Sequence, residues 1–142
     1  MRDKYNNTQN RDPRSNKDWV YRRGDIYLVN LNPFFGSEQG GTRPVVVIQN
    51  NKGNKYCPTL IVAVVTSHMK KTNLPVHCRF DKIGLLPQPS MVMTEQITTL
   101  DKRRIKRYLG KATEAQMTAI DRSACESLGL VRYMQKCWRE GK

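Results

Sequence analysis

The sequence predicts a mainly-β fold, a small and strongly curved sheet or barrel with one helix near the C-terminus. Three observations carry this. Two uninterrupted apolar runs, 44–49 and 59–66, have strand length and β-branched composition, the pattern of strands buried on both faces. Further short apolar runs are bounded by Asn, Gly and Pro, which punctuate strands. One segment, from Thr113 to Gly129, carries a helical apolar period.

The elements follow in order. Residues 1–19 hold Asn, Arg, Asp, Lys and Gln with little to bury, and are expected to form a disordered basic tail. The domain is expected to span residues 20–130, with 131–142 as an extension in which Trp138 caps the core or extends a dimer contact. Asp25 to Leu31 is a β-rich run stopped by Asn32-Pro33, and a loop from Phe34 to Thr42 follows. Pro44 to Gln49 and Thr59 to Thr66 are the buried strands, separated by a turn or short loop over Asn50 to Lys55. Leu74 to Phe80 alternates, which sets Val76, Cys78 and Phe80 on one face and His77 and Arg79 on the other. Ser90 to Ile97 reads as another strand, and Ile105 to Leu109 as a short one. Thr113 followed by Gln116 forms a capping box, and Met117, Ile120, Ala124 and Leu128 share one helix face. Gly129 stands where a left-handed cap ends such a helix.

Composition narrows the function. The 142 residues include 25 Lys or Arg against 12 Asp or Glu, a net charge of +13. The excess sits at the ends, with net +4 over 1–23, +2 over 24–101 and +7 over 102–142. Such a balance favours a polyanionic partner, of which nucleic acid is the commonest. No run reaches the length of a membrane span, and the N-terminus lacks the apolar stretch of a signal peptide, so membrane and secreted classes are not expected. Cys57, Cys78, Cys125 and Cys137 are spaced too widely for CxxC pairs, and the two histidines supply no HxxxH, so no metal is expected.

The most informative segment is Gly36-Ser37-Glu38-Gln39-Gly40-Gly41-Thr42-Arg43-Pro44. Gly36 and Gly41 suggest a phosphate loop, but the Lys and the following helix of that motif are missing, which rejects a nucleotide triphosphate site. Three glycines leave backbone amides open to a ligand, while Ser37, Glu38, Gln39 and Arg43 offer polar contacts. Pro44 biases Arg43 toward extended backbone, so its guanidinium leaves from the start of a strand. A flexible turn of small residues is the ordinary alternative.

This segment, with Arg23-Gly24-Asp25-Ile26-Tyr27 before it and Val45 to Asn50 after it, resembles the MazF/PemK family of toxin endoribonucleases. Pro58-Thr59, Val65-Thr66, Leu74-Pro75-Val76-His77, Glu95-Gln96-Ile97 and Ser127 to Leu130 extend the resemblance, which runs from about Arg22 to Leu130. It implies an SH3-like barrel with a terminal helix, acting as a homodimer in the cytoplasm. It also implies cleavage of single-stranded RNA, chiefly mRNA, at short motifs without metal or cofactor. The implied partner is an antitoxin whose acidic flexible segment covers the RNA groove.

Metal-free cleavage uses the 2′-OH of the substrate as nucleophile, so the site needs a proton acceptor, a charge stabiliser and a proton donor. By the resemblance, Arg43 and Thr66 are the expected catalytic pair. Arg43 suits bidentate contact with phosphate oxygens, and Thr66 ends a buried strand as a rigid hydroxyl. Glu38 is the chemically easier base, or else orients Arg43 through an ion pair. Ser37, Gln39, Gly40, Gly41, His68 and Gln96 are expected to bind RNA. Phe34 and Phe35 either stack on an unpaired base or pack beneath the loop. His68 shares a polar loop with Lys70 and Lys71, whereas His77 is expected to be solvated on an outer strand face. The run Lys102 to Arg107 carries five positive charges that either widen the phosphate-binding surface or face solvent. The competing function is a non-enzymatic toxin of the same fold that binds a protein such as DNA gyrase.

Overall fold

In the computed structural model, which describes residues 12–69 and 73–139, six strands form one antiparallel sheet. They are β1 Asp25–Asn30, β2 Thr42–Val47, β3 Thr59–Thr66, β4 His77–Phe80, β5 Ser90–Asp101 and β6 Ile105–Lys111, in the spatial order β4-β5-β3-β2-β1-β6. Three helices accompany them: α1 Asn51–Tyr56, α2 Glu114–Leu128 and α3 Val131–Arg139. Two 3-10 turns, Pro13–Ser15 and Lys102–Arg104, lie before β1 and before β6. The mainly-β class with a C-terminal helix is the one the sequence predicts.

The uninterrupted apolar strands are buried on both faces. Val45, Val46 and Val47 are each fully shielded from solvent. Val46 packs with Ile26, Leu28, Ala63 and Val65 under Met117 and Ile120 of α2. On the opposite face Val45 and Val47 pack with Tyr27, Val29, Val62 and Val64. Each such side chain contributes about 1.5–3 kcal/mol on burial, before the entropy of ordering the chain is set against it. The sheet bends where its ladders slip. Ala63 lies opposite Ile97 but Val64 lies opposite Met93, so residues 94–96 are extra on β5. Two further irregularities interrupt the pairing of β1 with β6.

Three local features depart from the sequence expectation. The presumed turn after β2 is the helix α1, whose cap is Asn50: its side chain accepts from Gly53 N at 2.8 Å. Asn54 of this helix is fully buried and satisfied, donating to Gln49 O at 2.9 Å and accepting from Gln49 Nε2 at 3.0 Å. Helix α2 starts with the expected capping box and ends at Gly129, φ 72°. Its buried face, however, runs from Met117 and Ile120 to Ser123 and then to half-buried Ser127, and Leu128 is 59% exposed. The serines win because they hold carbonyls: Ser123 Oγ donates to Pro75 O and Ser127 Oγ to Thr94 O, each at 2.7 Å. The third departure is α3, a helix within the presumed extension; the side chains of Cys137 and Trp138 lie outside the described set.

Residues 12–19, assigned by composition to the tail, lie against the sheet; residues 1–11 fall outside the description. Trp19 is what anchors the segment. Its Nε1 donates to the Tyr27 hydroxyl at 2.9 Å, which donates to Asp25 Oδ2 at 2.7 Å. That same carboxylate oxygen accepts from Arg22 N at 2.8 Å. The Trp19 ring also meets Tyr108 edge-on at 5.2 Å. Burial raises the Asp25 carboxyl above its ordinary value, opposed by the hydrogen bond from Tyr27. The charged form is therefore the costlier one in the fold. Its stabilising share is complete below the ordinary carboxylate range and falls as pH rises through the raised value.

Replacing Tyr27 by Phe removes the hydroxyl between Trp19 and Asp25, which takes the partner from Trp19 Nε1 and leaves Asp25 with Arg22 N. The variant should lose about 1–3 kcal/mol of stability, read as a lower urea midpoint with an unchanged slope.

Candidate functional site

The site follows from how β2 meets β3. Val47 lies opposite Val62, Val46 opposite Ala63 and Val45 opposite Val64. Pro44 brings no N–H, and the ladder stops at Val45. Carried two residues further, the same count sets Arg43 opposite Thr66. Where the strands part, the two side chains line a small cleft of about 60 Å³ with Thr42, Ser67, Gln88 and Ser90.

Within this cleft the two groups differ in freedom. Thr66 is 8% exposed, and its hydroxyl oxygen accepts from His68 N at 3.1 Å, which leaves its own proton to donate. Arg43 is exposed, and its Nε donates to Gly40 O at 3.2 Å, so the terminal nitrogens remain for a ligand. No carboxylate among the described residues lies within ion-pairing distance of Arg43. The cleft thus offers a fixed positive charge beside a rigid hydroxyl donor, an arrangement suited to a phosphate.

The glycine loop forms the wall between this cleft and a larger one. Gly41, at φ 76°, closes the loop's neck: its N–H donates to Asn32 Oδ1 at 2.9 Å, and its carbonyl accepts from Leu31 N at 2.9 Å. Gly40 is required for a different reason. A Cβ there would lie 1.9 Å from Cδ1 of Phe34, so the ring packs where any larger residue would stand. Glu38 is held by its own loop, its Oε1 accepting from Phe35 N at 2.6 Å. The second concavity, about 260 Å³, is lined by Phe34, Glu38, Gln39, Gln96, Thr98 and Arg104 among others.

The expected residues therefore divide. Arg43 and Thr66 share the small cleft, whereas Phe34, Glu38, Gln39 and Gln96 share the larger one. Gly40 and Gly41 supply loop backbone rather than contacts of their own. Phe35 is 86% exposed, and Ser37 and His68 are also exposed; none of the three lines either cleft. Lys70 and Lys71 fall outside the described residues. His77 needs correction. It does sit on the outer strand face, but its side chain is only 7% exposed because Glu95, from the extra residues of β5, bonds to its Nε2. The bonding pair lies one residue from Gln96.

Several lining residues gave no clear signal in the sequence. Gln88 and Ser90 reach the small cleft only because the start of β5 pairs with the end of β3. The cationic run 102–107 was visible, but the sheet divides it. Arg104 enters the larger cleft and donates to the Asn30 carbonyl at 3.3 Å and also to that of Asn32. Lys106 Nζ donates to Thr42 Oγ1 at 3.2 Å, beside Arg43. Arg103 pairs with Asp101 instead, and its guanidinium holds that exposed carboxyl down at about 2. Among the described residues no group of three or more His, Cys, Asp or Glu is placed to hold a metal.

Comparison with known proteins gives the family and the fold. Residues 22–128 match the family model described as PemK-like, MazF-like toxin of type II toxin-antitoxin system. A curated relative, the endoribonuclease MazF of Staphylococcus epidermidis, is 49% identical over 115 residues, covering 80% of this chain and 96% of the relative. The crystal structure of MazF from Deinococcus radiodurans superposes with a TM-score of 0.69 at 26% identity, over 79% of this chain and 99% of that one. A mycobacterial endoribonuclease in complex with its cognate antitoxin gives a TM-score of 0.66 at 24% identity, over 78% and 96% of the two chains, and shares the fold.

Gly40→Ala should push the Phe34 ring out of the larger cleft while leaving the core untouched. Chymotryptic cleavage after Phe34 should become several-fold faster with an unchanged thermal midpoint; an unchanged cleavage rate would show that the loop absorbs the added carbon.

Proposed function

Because the chain belongs to the PemK-like, MazF-like toxins of type II toxin–antitoxin systems, we propose that it is the toxin endoribonuclease of such a pair, cutting single-stranded mRNA without a metal. The convergence of Arg43 and Thr66 in one cleft carries the reading. The substrate's 2′-oxygen attacks the adjacent phosphorus, the bond to the 5′-oxygen breaks, and the products are a 2′,3′-cyclic phosphate and a 5′-OH end. Arg43 neutralises the charge that builds on the non-bridging oxygens, and Thr66 donates a hydrogen bond to one of them. One proton must leave the 2′-OH and one must reach the 5′-oxygen, the second proposed to come from Arg43, which recovers it from solvent. Glu38 lines the neighbouring cleft, and accepting the first proton is its proposed part, with the 2′-OH of the substrate lying on that side of the phosphate.

Bases beside the cut would lie in the larger cleft, against Phe34 and within reach of Gln39 and Gln96. Ser37, Phe35 and His68, exposed at the rims, would meet the strand as it enters or leaves. The proposed partner is a cognate antitoxin with an acidic segment, complementary to the chain's +13 charge. A homodimer acting in the cytoplasm completes the reading, and Tyr56 at the end of α1 and Ile61 in β3, both exposed, suit a subunit contact. No helix among the described residues is long and apolar enough to cross a membrane. The domain proposed for this activity is residues 20–130, with the family match inside it.

The test is cleavage of a long unstructured RNA in EDTA, with the ends mapped. Discrete cuts bearing 5′-OH ends are expected. Arg43→Ala should slow cleavage by about 10²-fold or more, and Thr66→Ala by a comparable factor. Intact RNA with a folded wild-type protein would overturn the nuclease reading and favour a toxin that binds a protein target.

A further inference from the structure

A concavity of about 600 Å³ lies at the far end of β2 from Arg43, lined in part by the segment before the family match, from Lys17 to Tyr21, and in part by residues within it. Trp19 and Tyr21 give it aromatic walls, and Lys17, Arg22, Lys55 and Lys102 give it four cations. No carboxylate among the described residues lines it; Asp18 and Asp25 line an adjoining hollow that shares Trp19, Val20 and Arg22 with it. The aromatics are held rather than loose. Trp19 is tied to Tyr27 through Nε1, and the Lys102 ammonium lies 4.8 Å from the Tyr21 ring centre while donating to Asn54 O at 2.7 Å.

Fixed aromatic rings among cations are the means by which proteins hold single-stranded nucleic acid, bases on the rings and phosphates on the cations. The position also matters. Lys102 lines this concavity and Arg104 lines the larger cleft of the candidate site, two residues apart in one 3-10 turn. At about 2 Å of rise per residue, that turn is a short basic bridge between the two hollows. We propose that the concavity is a second RNA subsite, which holds a nucleotide flanking the cleaved motif and extends the substrate track beyond the family's common domain. This rests on the endoribonuclease reading above. RNA is favoured over an acidic peptide because a carboxylate chain would use the cations but leave the paired aromatic walls without a role.

The test separates binding from cleavage. Two RNAs carry a mapped cleavage site blocked by 2′-O-methylation; one holds the site alone and the other is extended by several nucleotides at both ends. Wild type should bind the extended RNA about tenfold more tightly. The double variant Lys17→Glu, Lys55→Glu changes two exposed side chains, so the fold should persist, as circular dichroism would check. It should lose the length-dependent gain, keep wild-type affinity for the short RNA, and flatten the logarithmic salt slope by roughly 1.4 at about 0.7 per phosphate contact. A gain that survives in the variant, or a loss equal on both RNAs, overturns the subsite while leaving the nuclease reading intact. Wild type that neither binds these RNAs nor cuts the unblocked ones overturns both. A variant that loses affinity for a polyglutamate peptide but keeps the RNA gain assigns the surface to an acidic protein segment and overturns the proposal.

Discussion

Everything at the site depends on the register between β2 and β3. With Val45 opposite Val64, the two chemically distinctive residues, Arg43 and Thr66, leave the sheet at the same level. A slip of one residue would turn every side chain of the strand to the other face, exchanging the valines between the two packed faces and taking Arg43 away from Thr66. The apolar residues on both faces therefore lock the geometry of a polar cleft, which they meet only at its edge through Val65 and Leu86. Pro44 then ends the ladder at the point where a cleft must open, since it has no N–H to donate.

The loop depends on the same strands from the other side. Its neck is fixed by Gly41 between Leu31 and Asn32, and its interior by the Phe34 ring over Gly40. Chemistry that needs a charge and a hydroxyl within reach of one phosphate gains from such rigidity, because donors already in place need no reorganisation as charge develops. The division into a small cleft with Arg43 and Thr66 and a larger one with Phe34, Glu38 and Gln96 separates a place for the phosphate from a place for the flanking bases. The three extra residues of β5 serve the second of these. They bend the strand, aim Gln96 into the cleft and give Glu95 to His77.

Much of the fold was legible because its signals are local. Continuous β-branched runs mark strands buried on two faces, and the capping box with Gly129 marks both ends of α2. What failed locally failed for identifiable reasons. Asn50 to Tyr56 has the composition of a turn, and only the buried pairing of Asn54 with Gln49 makes it a helix. Leu128 fits the apolar stripe better than Ser127, yet Ser127 finds a carbonyl to bind and so takes the buried face. The residues from Asp12 to Trp19 look like a tail because one tryptophan is too small a signal against so many polar neighbours.

For the site, the sequence by itself determined which residues could do the chemistry. The glycine loop, Arg43 and Thr66 stand in a recognisable order, and the charge balance points to a polyanion. Tertiary structure decided which of them meet. Arg43 and Thr66 are brought together by strand pairing, Glu38 is turned to the neighbouring cleft by its bond to Phe35, and His77 is covered rather than solvated. It also decided the fate of four of the five 102–107 charges: Arg104 goes to the larger cleft, Lys102 to the concavity beside Trp19, Lys106 to Thr42 and Arg103 to Asp101. The reason is physical: residue type sets what a group can do, but proximity between distant segments is fixed only by which strands pair and in what register.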